Sequence, residues 1–264
     1  MKRSRNALCT TVYLIRHGAR HDFADKAAWR ATCNRLGHET SDPPLSALGH
    51  AQARETAAAL SGEGIEHILV SPYLRVLQTA QPLAHMCSLP LRVEEGLAEL
   101  AYAPATIPSA GARVAYFPEI EDEADPIHPP VQPASNGVES NLAYLRRMLR
   151  LAASLPGRFP GGTVACFSHA ASVALVAALT RSATLDEAGT FAPCGIFKLE
   201  TEDGGETWRV AQRGDDNSGH VGENVPSTFP WGFRHSETTT TDKLTLAAWE
   251  ALWREAVELG PSAT

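Results

Sequence analysis

The sequence predicts an α/β fold, with a mostly parallel central sheet and helices on both faces, giving three layers α/β/α. Two observations predict it. Short apolar runs rich in β-branched residues alternate along the chain with stretches of helical character. In addition, Arg16, His17, Arg75 and His169 each fall just past the end of such a run. In sheets of this kind ligands bind beyond the carboxyl ends of the strands, so these four residues are expected to converge.

The first run, Val12-Tyr13-Leu14-Ile15, breaks abruptly into Arg16-His17-Gly18-Ala19-Arg20. Gly18 permits a tight turn, and clustered cations suit a phosphate dianion, which needs several charge-assisted donors at once. Taken alone, the stretch reads equally well as an ordinary strand followed by a solvated basic turn.

His21 to Pro44 is looser, and Ser41-Asp42-Pro43-Pro44 is a turn signal. Ser46 caps an alanine-rich helix from about Ala47 to Leu60, ended by Gly62 and Gly64. Ile65 to Val70 is the second strand. Ser71-Pro72 then opens a helix from Tyr73 to about Gln81, with Ser71 as cap and Arg75 in the first turn. Leu91 to Val93 is a third strand. Ala101 to Gly137 is rich in Pro, Ala and Gly, with an acidic patch at Glu119, Glu121, Asp122, Glu123 and Asp125. It reads as a lid insertion whose acidic face is solvated.

Ser140 to Leu155 returns to helical spacing, with Leu142, Leu145, Leu149 and Ala152 on one face. Arg146, Arg147 and Arg150 read as its solvated face. Thr163 to Phe167 is a buried strand with Cys166 as a small core residue, followed by Ser168-His169 and an apolar helix, Ala170 to Leu179. His169 thus sits where free backbone amides favour an anion. Gly195 to Leu199 and Trp208 to Gln212 flank Asp203-Gly204-Gly205 as a hairpin. Asp215 to Ser236 has little regular pattern. A linker around Thr238 to Thr241 leads to an amphipathic helix with Leu246, Trp249, Trp253 and Val257, expected to dock on the body. The domain is placed at residues 1–236 and the linker with terminal helix at 237–264.

Composition bounds the function. The 264 residues, 44% hydrophobic and 20% charged, are ample for a substantial core. A net charge of -7 argues against broad binding to nucleic acid or anionic membrane, yet allows a local cationic pocket. The five cysteines form no C-x-x-C pair or zinc spacing, so reduced thiols in a cytoplasmic compartment are expected. No stretch approaches a membrane span. Met1 to Thr11 lacks an apolar signal core and reads as a disordered start.

Jointly, the motifs resemble the histidine phosphatase superfamily, with its phosphoglycerate-mutase-like fold. The signature is Leu14-Ile15-Arg16-His17-Gly18; the second arginine matches Arg75 in Val70 to Ala80, and the second histidine matches His169 in Phe167-Ser168-His169-Ala170. Pro43 to Gly49 fits the linking phrase. Within the superfamily the chain resembles the branch of the suppressor-of-T-cell-signalling phosphatases and the phosphatase-like subunit of transcription factor IIIC. Arg20 supplies the Arg-His-Gly-x-Arg pattern, and Gly96-Leu97-Ala98-Glu99 matches the position of the acid. Gly214 to His220 and Trp231-Gly232-Phe233 match the transcription-factor group more loosely. Phosphoglycerate mutases carry Trp-Asn and Gly-Trp segments after the turn; here the chain reads Arg20-His21-Asp22-Phe23, which disfavours mutase activity.

The resemblance implies that His17 attacks phosphorus and becomes a phosphohistidine. Arg16, Arg20, Arg75, His169 and Ala170 bind the phosphoryl group, and Glu99 protonates the leaving alcohol or phenol, which requires a raised pKa. No metal and no cofactor are implied. On the residues alone, Arg75 could instead pair with a carboxylate, and Glu99 could be a solvated neighbour of Glu94 and Glu95. His21 is rejected as a metal partner of His17, and His128 and His220 read as surface or structural. The expected function is a metal-independent phosphomonoesterase acting on a phosphorylated small molecule or a phosphotyrosine-like group. The alternative is a phosphatase-like interaction subunit of a larger complex. Oligomeric state stays open, a homodimer included.

Overall fold

The computed structural model describes residues 9–23, 25–36, 39–121, 125–131, 135–223 and 244–261. Six strands form one sheet: β1 (Thr10–Arg16), β2 (His67–Val70), β3 (Leu91–Val93), β4 (Thr163–Ser168), β5 (Ile196–Thr201) and β6 (Arg209–Gln212). Their order is β3-β2-β4-β1-β5-β6. The first four run parallel, while β5 is antiparallel to β1 and forms the expected hairpin with β6.

The period of two along β1 divides the core. Val12 and Leu14 face one layer, built by α5 (Asn141–Arg158), α6 (Val173–Thr180) and α7 (Leu246–Leu259). Tyr13 and Ile15 face the other, built by α2 (Ala47–Leu60) and α3 (Leu74–Cys87). α1 (Lys26–Thr32), capped by Asp25, lies in the segment the sequence left without regular structure. Trp29 from this helix is buried and meets the His21 ring edge-on.

Ser46 caps α2 as expected, accepting from the Gly49 amide at 3.1 Å. Gly49 has a second role. A Cβ there would come within 2.2 Å of the Ala19 carbonyl oxygen, so α2 packs directly on the turn after β1 only because the position lacks a side chain. Gly49→Ala is therefore expected to destabilise by about 1–3 kcal/mol in thermal or urea unfolding. Gly62→Ala, where a Cβ would meet nothing within 4 Å, should be close to neutral. Equal stability of the two variants would contradict this packing.

Four expectations are corrected here. Ser71 is not the cap of α3: the cap residue is Tyr73, with no side-chain hydrogen bond of its own, and the helix runs to Cys87 rather than Gln81. The buried Asp42 carboxylate caps it from a distance, accepting from the Leu74 amide at 2.8 Å. On α5 Leu145 is buried as expected, with Leu142, Leu149 and Ala152 packed partly buried against the core, but the stripe also takes in Tyr144, Met148, Leu151 and Leu155, and Arg147, expected to be solvated, lies among them fully buried. The acidic residues Glu119 and Glu121 are not simply solvated, since they pair with His85 and Arg92. On α7 the inward residue of the last turn is Ala256, while Val257 is half-exposed.

The 101–137 segment contains α4 (Ala110–Arg113), and Ile120 bridges to Leu91 at the sheet edge. Tyr102, Ile107, Phe117, Ile120 and Val131 are buried against α2 and α3 in the same apolar cluster, so the segment contributes core as well as covering surface. Asp122, Glu123, the 238–241 linker and Trp231-Gly232-Phe233 lie outside the described residues. α7 rests on α5 with Trp249 and Trp253 buried. Among the described residues no helix is long and apolar enough to cross a membrane.

Candidate active site

Parallel register assembles the site. Arg16 pairs with Ser168, and Val70 with Phe167, so the next residues of three adjacent strands emerge together at the carboxyl end of the sheet. These are His17, His169 and Ser71. The His17 amide donates to the Ser168 carbonyl at 3.0 Å and the Ser71 amide to the Phe167 carbonyl at 3.1 Å, carrying the ladder one step beyond the strands. The His17 and His169 rings meet edge-on with centroids 5.4 Å apart.

His17 is buried, and its Nδ1 lies 2.8 Å from the Gly18 carbonyl oxygen. A carbonyl only accepts, so Nδ1 carries the proton and Nε2 keeps its lone pair. Burial, together with the charges of Arg75 and Arg16, holds the ring's pKa well below its ordinary value. The imidazole is neutral at physiological pH. The turn is fixed by the Gly18 amide, which donates to Thr79 Oγ1 at 3.2 Å, while that hydroxyl donates to the Arg75 carbonyl at 2.7 Å.

Arg16 and Arg75 are both buried. One Arg16 nitrogen donates to the Phe191 carbonyl, whereas its Nε has no partner among the described residues. Burial lowers its pKa to about 10, which leaves it charged at neutral pH. Arg75 stacks on the Tyr73 ring at 4.4 Å and points Nη2 at His169 Nδ1, 3.1 Å away. Its Nε and Nη1 are buried without a partner among the described residues. Buried guanidinium donors left unpaired are costly, and a tetrahedral oxyanion would satisfy them.

His169 is held on both sides, with Nε2 2.7 Å from Ser71 Oγ and Nδ1 3.2 Å from Glu99 Oε2. Burial brings its pKa down to about 4 despite the neighbouring carboxylate. Ala170 follows at the start of a short 3₁₀ turn, Ala170–Ser172, whose first amides have no partner within the turn.

Glu99 departs from expectation. Its carboxylate lies against His169 and 3.5 Å from Arg75. Burial favours the neutral acid, but His169 and Arg75 outweigh it and bring the pKa down to about 2 rather than up. Unliganded, Glu99 is a carboxylate neutralising the cations of the site.

Arg20 is only partly gathered in. Its guanidinium forms a two-point pair with Asp22 at 2.8 and 2.6 Å and covers the Phe23 ring, although its charge still depresses the pKa of His17 and His169. His21 stacks on Trp29, away from His17's chemistry. His128 is buried, with its amide bound to Glu94. His220 Nε2 lies 2.8 Å from the Cys194 carbonyl oxygen.

His17, Glu99 and His169 each offer one ligand atom within 4.8 Å of the others, enough for three ligands to a divalent ion. Two buried arginine charges alongside oppose a cation there and favour an anion. The residues overlooked in the sequence are Ser71, Tyr73, Thr79, Asp42 and Arg147. Only Arg147 carried a readable signal: it lies three residues after Tyr144 and four before Leu151, on the stripe that is buried.

Among known proteins, the chain is 36% identical to the probable phosphoglycerate mutase GpmB of Yersinia enterocolitica over 89 residues, which is 34% of this chain. The chain spans 37% of the length of that curated relative. Two solved structures are similar in fold. The ecdysone phosphate phosphatase from Bombix mori, in complex with tungstate, superposes with a TM-score of 0.60 at 19% identity, over 83% of this chain and 96% of that one. A mycobacterial glucosyl-3-phosphoglycerate phosphatase gives 0.54 at 22% identity, over 78% and 99%. A family model covers residues 12–215, well over half of the sequence and all of the cluster just described, and the chain belongs to the histidine phosphatase superfamily (branch 1).

Proposed function

We propose that the chain is a metal-independent phosphomonoesterase that works through a phosphohistidine on His17. The observation that carries this reading is a buried, neutral His17 with Nε2 unprotonated beside guanidinium donors that no protein group satisfies. A neutral imidazole is a competent nucleophile at pH 7. Arg16, Arg75, His169 and the Ala170 amide would hold the phosphoryl oxygens and neutralise charge during transfer. Glu99 would protonate the leaving group and then activate water.

The substrate class we favour is a small phosphorylated molecule or a phosphotyrosine-like group. Neighbours in fold include phosphatases of glucosyl-3-phosphoglycerate, of ecdysone phosphate and, putatively in Escherichia coli, of α-ribazole-5′-phosphate. Their chemistry supports a monoester substrate without selecting one. The Arg-His-Gly-x-Arg pattern, with Arg20 anchored by Asp22, supports placement near the suppressor-of-T-cell-signalling branch. All five cysteines are free thiols, in keeping with a reducing cytoplasm.

The test is hydrolysis of an aryl phosphate in excess chelator. Undiminished turnover is expected. Activity that chelator abolishes and a divalent ion restores, or no turnover across a panel of phosphomonoesters, would overturn the reading, the latter in favour of an interaction subunit.

A further inference from the structure

We propose that Arg147 is a positioning residue for Glu99, fixing the acid's backbone from α5. This rests on the reading of Glu99 as the acid. Arg147 projects from α5 and is fully buried. Its Nη1 donates its two hydrogens to the carbonyls of Gly96 at 2.6 Å and Ala98 at 3.0 Å, with the Glu95 carbonyl at 3.4 Å as a shared third acceptor, and its Nη2 reaches the Glu99 carbonyl at 3.4 Å. The remaining carbonyl of this stretch, Leu97, accepts from Ser168 Oγ at 2.8 Å. Every carbonyl from 95 to 99 is therefore bound by a side chain of α5 or by the residue that precedes His169.

Charge balance supports a dedicated role. Glu139 meets the same guanidinium in two-point fashion, at 2.8 and 2.5 Å, and so cancels its charge without using the loop. The loop gains donors rather than a net charge. A guanidinium has five donors in a rigid plane, so it can serve Glu139 and several carbonyls at once, which a lysine ammonium cannot. Without it, Glu99 would hang from a loop whose carbonyls turn toward other partners, and small displacements of a catalytic group are costly in rate.

The experiment compares two leaving groups. Dinitrophenolate departs without a proton, whereas an alkoxide requires the acid. Arg147→Lys keeps the charge; the double variant Arg147→Met with Glu139→Gln removes both charges, so no buried ion is stranded if the single change fails to fold. The single-turnover rate of phosphoryl transfer from an alkyl phosphate is expected to fall about 10²-fold in either, with the rate of the dinitrophenolate burst and tungstate affinity within about threefold of wild type. In a Glu99→Gln background the same changes should have no further effect on the alkyl substrate. Equal losses on both substrates, additive losses with Glu99→Gln, or no loss on either would each overturn the positioning role. Failure of the parent reading is separable: there, wild type hydrolyses neither ester, or Glu99→Gln itself shows no preference between them.

Discussion

His17→Ala is expected to lower phosphatase turnover by about 10⁴-fold or more while leaving tungstate binding within about tenfold of wild type. The two halves have separate physical grounds. Removing the imidazole deletes the only group among the clustered residues with an unprotonated, unpartnered lone pair aimed at the site. It removes no positive charge, because burial and the adjacent arginines keep His17 neutral. Arg16 Nε and Arg75 Nε and Nη1 still need an anionic partner. Kinetics on an aryl phosphate and calorimetric titration of tungstate check both halves. Appreciable turnover in the variant would show that water attacks directly. Lost tungstate binding would show that the ring holds the oxyanion rather than attacking phosphorus.

What could be read from the sequence follows the range of the forces involved. Strands β1, β2 and β4 and the cap Ser46 are local in origin, fixed by period and by residues within one turn. The convergence of Arg16, His17, Arg75 and His169 was legible because a parallel sheet sends all strand ends the same way. Ser71 misled because Ser-Pro is a helix-opening pair, yet its hydroxyl serves His169 across the sheet while Asp42, 32 residues away from Leu74, supplies the cap. Glu99's ionisation misled because an acid that must protonate a leaving group is expected to have a raised pKa, and only the fold reveals Arg75 and His169 beside it. Arg147 misled because an arginine on an amphipathic helix is usually solvated, and its partners arrive from a loop some fifty residues earlier.

Glu99→Gln is expected to slow phosphoryl transfer from an alkyl phosphate, read in a single turnover, by about 10²–10⁴-fold and to slow the dinitrophenolate burst much less. The proton it donates must arrive with the anion, since the free carboxyl has its pKa near 2. An oxyanion between Arg75 and His169 competes for the Arg75 charge and the His169 ring contact that hold Glu99 ionised and adds a like charge nearby, and both effects raise its pKa. The sign of the linkage follows: the complex binds more protons than its separated components, so anion affinity falls as pH rises. Calorimetry in buffers of different ionisation enthalpy, at a pH where free tungstate carries no proton, should report net proton uptake on tungstate binding by wild type and none by Glu99→Gln. Proton-neutral binding by wild type, or equal uptake by the variant, would remove Glu99 from the acid's role.

The phosphohistidine itself can be seen directly. Glu99→Gln mixed with dinitrophenyl phosphate should form the phosphoenzyme, because the leaving group needs no acid, and break it down slowly, because no base activates water. Alkaline quenching followed by peptide mass spectrometry is expected to find one phosphoryl group on the peptide spanning residues 12–20, at His17 and labile to acid. Phenol release at a measurable rate with no phosphoryl group on the chain, or with one on any residue other than His17, would contradict the account.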